Sequence, residues 1–174
     1  MIVPDTKNWT WVLERPCAEC GFDADAIAYA SVPERALDSA ARIGAALTRS
    51  DARVRPDDAT WSALEYGAHV RDVCRIFDTR LALIRAGDGV EPPTFENWDQ
   101  DATAVADRYA EQDPATVAGE LAAAAETVAA AFAAVPADSL ELRGARSDGS
   151  LFTVTSLARY FLHDLVHHVH DVRG

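Results

Sequence analysis

Residues 62–87 read SALEYGAHVRDVCRIFDTRLALIRAG, and this stretch decides how the chain folds. Ser62 followed by Glu65 is a capping-box pattern, in which each side chain satisfies an amide that the first helical turn leaves free. Val73, Ile76, Phe77 and Ile84 recur at helical spacing, with Tyr66 and His69 in the same line, and Gly87 supplies the stop. A helix is therefore expected from Ser62 to about Ala86. Its single apolar stripe requires other helices to cover it.

Three further stretches share the period. One covers 32–50, with Pro33 in the first turn and Leu37, Ala40, Ala41, Ile43 and Leu47 at helical spacing. Another covers 102–135 and breaks at Asp113-Pro114, where proline removes a donor and turns the preceding residue away from helix. Its second half, AGELAAAAETVAAAFAAV at 118–135, is alanine-rich and strongly helix-favouring. The last stretch covers 154–172.

The connection 87–101, GDGVEPPTFENWDQD, is long, and Pro92-Pro93 keeps it extended. At ~3.3 Å per residue it can run the length of a bundle, which lets the second and third helices lie parallel. Arg146-Ser-Asp-Gly149 signals a turn, with a small hairpin expected inside 136–153. The chain is thus expected to be all-α, a four-helix bundle with one or two long crossovers. An N-terminal extension over 1–31 packs on a bundle body over 32–174.

Composition narrows the partners. The 174 residues suit one domain, and 49% hydrophobic with 25% charged residues is a globular profile. Against 28 acidic residues stand 16 basic ones, a formal net charge of -12. Arg49, Arg53 and Arg55 form the densest basic group, and Asp51, Asp57 and Asp58 interleave with them. Phosphate backbones and anionic membranes need clustered Lys and Arg, so neither nucleic acid nor membrane is an expected partner. No apolar run approaches the ~20 residues of a membrane span. The start, MIVPDTKNWTWVLERP, lacks the basic and apolar regions of a secretory signal, so cytoplasmic residence is expected.

The chemistry concentrates in histidine. Four of the five histidines fall in FLHDLVHHVHDV at 161–172: His163, His167, His168 and His170. At about 100° per residue, His163, His167 and His170 share an arc of about 60°, and His168 points elsewhere, towards the direction of Phe161. The i, i+4 pair His163/His167 brings two imidazoles within reach of one cation. A solvated polar face is the plainer reading of such a pair. His69, on the apolar stripe of the second helix, adds a third imidazole at a matching level if the two helices run antiparallel. A metal site of His69, His163 and His167 with one open position follows.

At these residues the sequence resembles the DinB/YfiT-like superfamily. Tyr66-Gly-Ala-His69 on a second helix and His163-Asp-Leu-Val-His167-His168 on a last helix match the family pattern of one histidine plus an H-x-x-x-H pair. The resemblance covers roughly 32–172 and leaves out the N-terminal Trp/Cys segment. It implies an up-down-down-up bundle, a divalent metal such as zinc or nickel on His69, His163 and His167, and frequent homodimers. It also implies transferase or isomerase chemistry on a small-molecule substrate with a low-molecular-weight thiol, such as mycothiol or bacillithiol, or a related hydrolase activity. The residues themselves declare no general base. His170 and Tyr66 are candidates, and packing roles suit both. A non-catalytic, stress-associated bundle with a residual or structural metal site is the alternative.

Cys17-Ala-Glu-Cys20-Gly21 resembles half of a zinc knuckle or a redox dithiol. The only other cysteine, Cys74, lies inside the second helix, so a four-cysteine site is excluded by count. A disulfide, a reduced pair, and a metal site of two cysteines with histidine stay open, with the reduced pair first and no part expected for it at the three-histidine site. Trp61 reads as core, and Phe95 and Trp98 as pins holding the 87–101 connection to the bundle.

Overall fold

The structure is a computed structural model that describes residues 8–174, so residues 1–7 of the expected N-terminal extension lie outside the described residues. Among the described residues five α-helices form: α1 (Val32–Ala46), α2 (Ala63–Ala86), α3 (Gln100–Ala106), α4 (Pro114–Ala133) and α5 (Val154–Asp171). The short α3 lies beside the bundle that the other four build. The expected third helix breaks earlier than its proline alone requires. Arg108 adopts φ 51°, a left-handed conformation, and a single 3-10 turn at Tyr109–Glu111 separates α3 from α4.

Helix directions follow from residue contacts. Leu47, just after α1, packs on Gly67 near the start of α2, so the end of α1 meets the start of α2. Arg71 in the first half of α2 reaches Glu120 in the first half of α4 at 2.8 Å, so these helices run parallel. Phe77 meets Phe161, and His69, earlier on α2, meets His168, later on α5, so α2 and α5 are antiparallel. Arg49 binds the Val172 carbonyl at 2.7 Å, which brings the ends of α1 and α5 together. The bundle is up-down-down-up, as the sequence led us to expect.

α4 is, by length and a mean hydropathy of 1.2, apolar enough to cross a membrane, although the sequence alone suggested no such run. Here its Val117, Leu121, Ala125, Val128 and Phe132 are buried in the bundle core, and alanines cover much of its outer face.

The hairpin expected before the last helix forms as β2 (Arg143–Arg146) and β3 (Leu151–Thr153). A third strand, β1 (Thr94–Phe95), comes from the long connection and pairs parallel with β2, Thr94 opposite Ala145. Two residues in a proline-containing loop carry no alternation, which is why sequence patterning misses this strand. Gly144 lets the sheet close on α2, since a Cβ there would lie 2.6 Å from Ile84 and 2.8 Å from Phe95.

The capping box at α2 forms as expected. Ser62 Oγ accepts from the Glu65 amide at 3.3 Å, and Glu65 Oε2 accepts from the Ser62 amide at 2.9 Å. Arg55 pairs with the same carboxylate. Burial pulls the Glu65 carboxyl upward, but bonds from Arg55 and Ser62 outweigh it and hold its pKa below the ordinary value. A depressed folded-state pKa contributes stability that is complete above the unfolded value of ~4.3 and disappears as pH falls through the folded one. Glu65→Gln should therefore cost about 1 kcal/mol at neutral pH by urea denaturation. The gap from wild type should close below about pH 4, and a gap independent of pH would contradict this assignment.

Candidate functional site

One turn of α5 carries two i, i+4 pairs, His163/His167 and Asp164/His168, rotated from one another by about 100°. They face different neighbours. Asp164 and His168 turn toward α2, where Asp164 Oδ1 lies 3.4 Å from His69 Nε2 and 3.5 Å from His168 Nε2. The two imidazoles meet edge to face with centroids 4.8 Å apart. One donor atom from each of the three residues falls within 4.8 Å of the others. His168 Nδ1 contacts Asp171 Oδ2 at 2.8 Å. A proton held on Nδ1 by that carboxylate leaves the Nε2 lone pair toward Asp164, the usual arrangement behind a metal-ligating histidine.

His69 is fully buried, stacked on Trp98 at 5.2 Å with Trp61 on another side. Neither of its ring nitrogens has a hydrogen-bond partner among the described residues, and Asp164 Oδ1 has none either. Orphaned polar atoms at this depth are costly unless something compensates them. A cation would. Burial pushes the His69 pKa down, which keeps its imidazole neutral and able to ligate. Burial would raise the Asp164 carboxyl, but its contact with His69 outweighs that and holds it at about 2, so it is ionised. Ligands at about 2.0–2.2 Å from a tetrahedral ion lie about 3.3–3.6 Å apart, which the separations of Asp164 from the two histidines, 3.4 and 3.5 Å, match. Two imidazoles and a carboxylate are a donor set that a zinc-like divalent ion accepts.

The group sits at the wall of a pocket of about 290 Å³ lined by Trp61, Tyr66, Tyr160, Asp164, His168 and Asp171. Asp164 also borders an adjoining pocket of about 350 Å³ with Arg80, Arg146 and Trp98. Arg80 is buried, lies over the Phe77 and Phe95 rings, and donates to the Glu96 carbonyl at 3.0 Å. Desolvation, with Arg146 nearby, lowers its pKa to about 10, so it still carries its charge at neutral pH. Burial likewise pushes the Tyr66 phenol up, leaving it a neutral hydroxyl.

The second pair on α5 faces the N-terminal segment. Cys17, Cys20, His163 and His167 bring one donor atom each within 4.8 Å of one another. The structure thus does not gather His69, His163 and His167 around one point, as the sequence suggested; it divides them between two groups. His168, expected to face away, joins His69 instead. The reason is the register of α5: a rotation of one residue hands the second i, i+4 pair, rather than the first, to α2. His170 is exposed and belongs to neither group. The spacing Asp164-x-x-x-His168 was visible in the sequence, but attention to histidine alone passed over its carboxylate member. Phe95 and Trp98 do pin the long connection, Phe95 by burial and Trp98 by its stack on His69 and a 2.7 Å bond to Thr103.

No curated protein matches the chain. Among solved structures it is similar to YfiT from Bacillus subtilis, described as a probable metal-dependent hydrolase with an unusual four-helix bundle topology. The TM-score is 0.73 at 16% identity, over 86% of this chain and 88% of that one, a likeness of fold. The family model of the DinB superfamily matches residues 34–172, all of the bundle but the first two residues of α1, with both donor-bearing helices, and the chain belongs to that superfamily.

Proposed function

We propose that the chain is a metal-dependent enzyme that sets water or a small thiol against a small electrophile, with a divalent ion held by His69, Asp164 and His168. One observation carries this reading: three donors from two helices, two of them with buried atoms that have no hydrogen-bond partner among the described residues, converge beside a pocket. Such an ion, when bound, supplies a Lewis acid and lowers the pKa of a water or thiol beside it. The chain's own groups do the rest. His69 and Asp164 offer lone pairs without first losing a proton at neutral pH. Asp171 fixes the His168 ring, and Trp61 and Trp98 keep water from His69. The Tyr66 hydroxyl can donate a proton into the pocket. Arg80, a buried guanidinium that lines the adjoining pocket with Asp164, suits a carboxylate such as bacillithiol carries, which supports thiol transfer or isomerisation over simple hydrolysis.

The test compares metal-depleted with zinc- or nickel-loaded protein, following ester hydrolysis and, separately, conjugation of a low-molecular-weight thiol to an electrophile. Turnover should require the ion, and the thiol reaction should be the faster. Asp171→Asn should weaken the ion's binding by about 10–100-fold while the helical circular dichroism stays unchanged. A loaded protein inert in both assays would reduce the chain to a metal-binding bundle, and failure to bind an ion would remove the proposal altogether.

A further inference from the structure

We infer that Cys17, Cys20, His163 and His167 form a second and separate metal site, a tetrahedral two-cysteine, two-histidine centre for zinc that fastens the N-terminal segment to α5. None of its ligands is shared with the group around His69, so it stands without the function proposed above.

The pairs C-x-x-C and H-x-x-x-H each hold two donors at chelating distance, yet they lie at opposite ends of the sequence. The fold joins them. Cys17 Sγ lies 3.7 Å from His167 Nδ1. With zinc–sulfur near 2.3 Å and zinc–nitrogen near 2.0–2.1 Å, a tetrahedral site sets sulfur and nitrogen about 3.6 Å apart. The cysteine turn is built for this. The Gly21 amide donates to the Cys17 carbonyl at 2.9 Å, and the Cys17 amide donates to the Phe22 carbonyl at 2.8 Å. Gly21 takes φ +73°, which a side chain would resist, and the chain can so curl both sulfurs to one side.

Burial argues the same way. Cys17 is 1% exposed and His163 4%, both cysteines are unpaired thiols, and His163 Nε2 has no hydrogen-bond partner among the described residues. Thiols are weak partners for a buried imidazole. Zinc binding releases the two thiol protons to solvent, and the two thiolates then cancel the dication's charge. The centre is neutral, and its burial escapes the cost of an isolated charge. Trp9 packs over both imidazoles with centroids at 5.7 and 5.1 Å, and Phe22 meets His163 edge-on. Glu19 Oε2 lies 3.5 Å from His167 Nε2, placed to hold the ring while Nδ1 ligates. Four protein ligands behind aromatic cover describe a structural centre rather than a catalytic one. It also sets Trp9 and Glu19 where they wall the pocket beside Asp164.

Protein purified without a histidine tag should carry two ions per chain by elemental analysis. Cys17→Ser/Cys20→Ser should lose one ion and keep the other. Replacement by cobalt(II) should give a thiolate-to-metal charge-transfer band in the wild type, absent from the cysteine variant and retained in His69→Ala. A folded, cobalt-loaded wild type without that band would overturn the inference, even if the cysteine variant failed to fold. So would an unchanged ion count in a folded cysteine variant, or a Cys17–Cys20 disulfide in the native protein. Should His69→Ala leave the count unchanged, the site around His69 fails and this one stands.

Discussion

His168→Ala is expected to release the ion beside the pocket, while His163→Ala retains it. His168 Nε2 and His69 Nε2 both aim at Asp164 Oδ1, at 3.5 and 3.4 Å. Removing His168 takes away one of three protein ligands and leaves Asp171 without the imidazole it orients. Loss of an outer partner alone costs about 10–100-fold in affinity, so loss of the ligand itself should exceed about 100-fold. His163, rotated about 100° from Asp164 on the helix, lines the same pocket but faces Cys17, Cys20 and Trp9 and belongs to the other donor group. In a Cys17→Ser/Cys20→Ser background, where the ion beside the pocket is the one that remains, competition with a chelator read against elemental analysis separates the variants. Equal retention by His168→Ala and wild type, with release from His163→Ala, would restore the three-histidine assignment.

That contrast shows where sequence reasoning stops. The four bundle helices were legible because each obeys a 3.6-residue period and carries local start or stop signals, Ser62 with Glu65 and Gly87 at α2, Asp113-Pro114 at α4. The residues of the site were half legible. His69 stood out as a polar group on an apolar stripe, and α5 as a helix dense in metal-ligating side chains. Which of two adjacent i, i+4 pairs meets His69 depends on how α5 is rotated against α2, and a rotation of about 100° is decided by core packing, not by the pairs themselves. The N-terminal segment was harder still. Its described residues form three short 3-10 turns, Trp9–Leu13, Ala24–Ala26 and Tyr29–Ser31, which leave no periodic trace. Packing on the bundle was expected of it, but no part at the three-histidine site was expected for its cysteines. It packs onto α5 through Arg159, which donates to the Ile27 carbonyl, and through the rings over His163 and His167.

Phe161→Ala is expected to bring the largest loss of stability. Phe161 is fully buried where α2, α4 and α5 meet, with Phe132 at 5.4 Å and Phe77 at 5.3 Å between centroids. Deleting a buried phenyl ring removes its transfer free energy and leaves a cavity, together about 3–5 kcal/mol. For a chain of this size that lowers Tm by roughly 6–20 °C. Val90→Ala, at an 81% exposed position, should stay within about 0.5 kcal/mol of wild type. The cavity should also reach the site. Phe161 lies just ahead of Asp164 on α5, and α2 carries both Phe77 and His69. If α5 settles toward the missing ring, the distance from Asp164 to His69 changes, and the ion binds less tightly although no ligand has been touched. Urea denaturation followed by circular dichroism measures the first effect and chelator competition on the folded variant the second. A loss below about 1 kcal/mol would mean that the three helices do not pack closely at this ring, and that the rotation of α5 is fixed by some other contact.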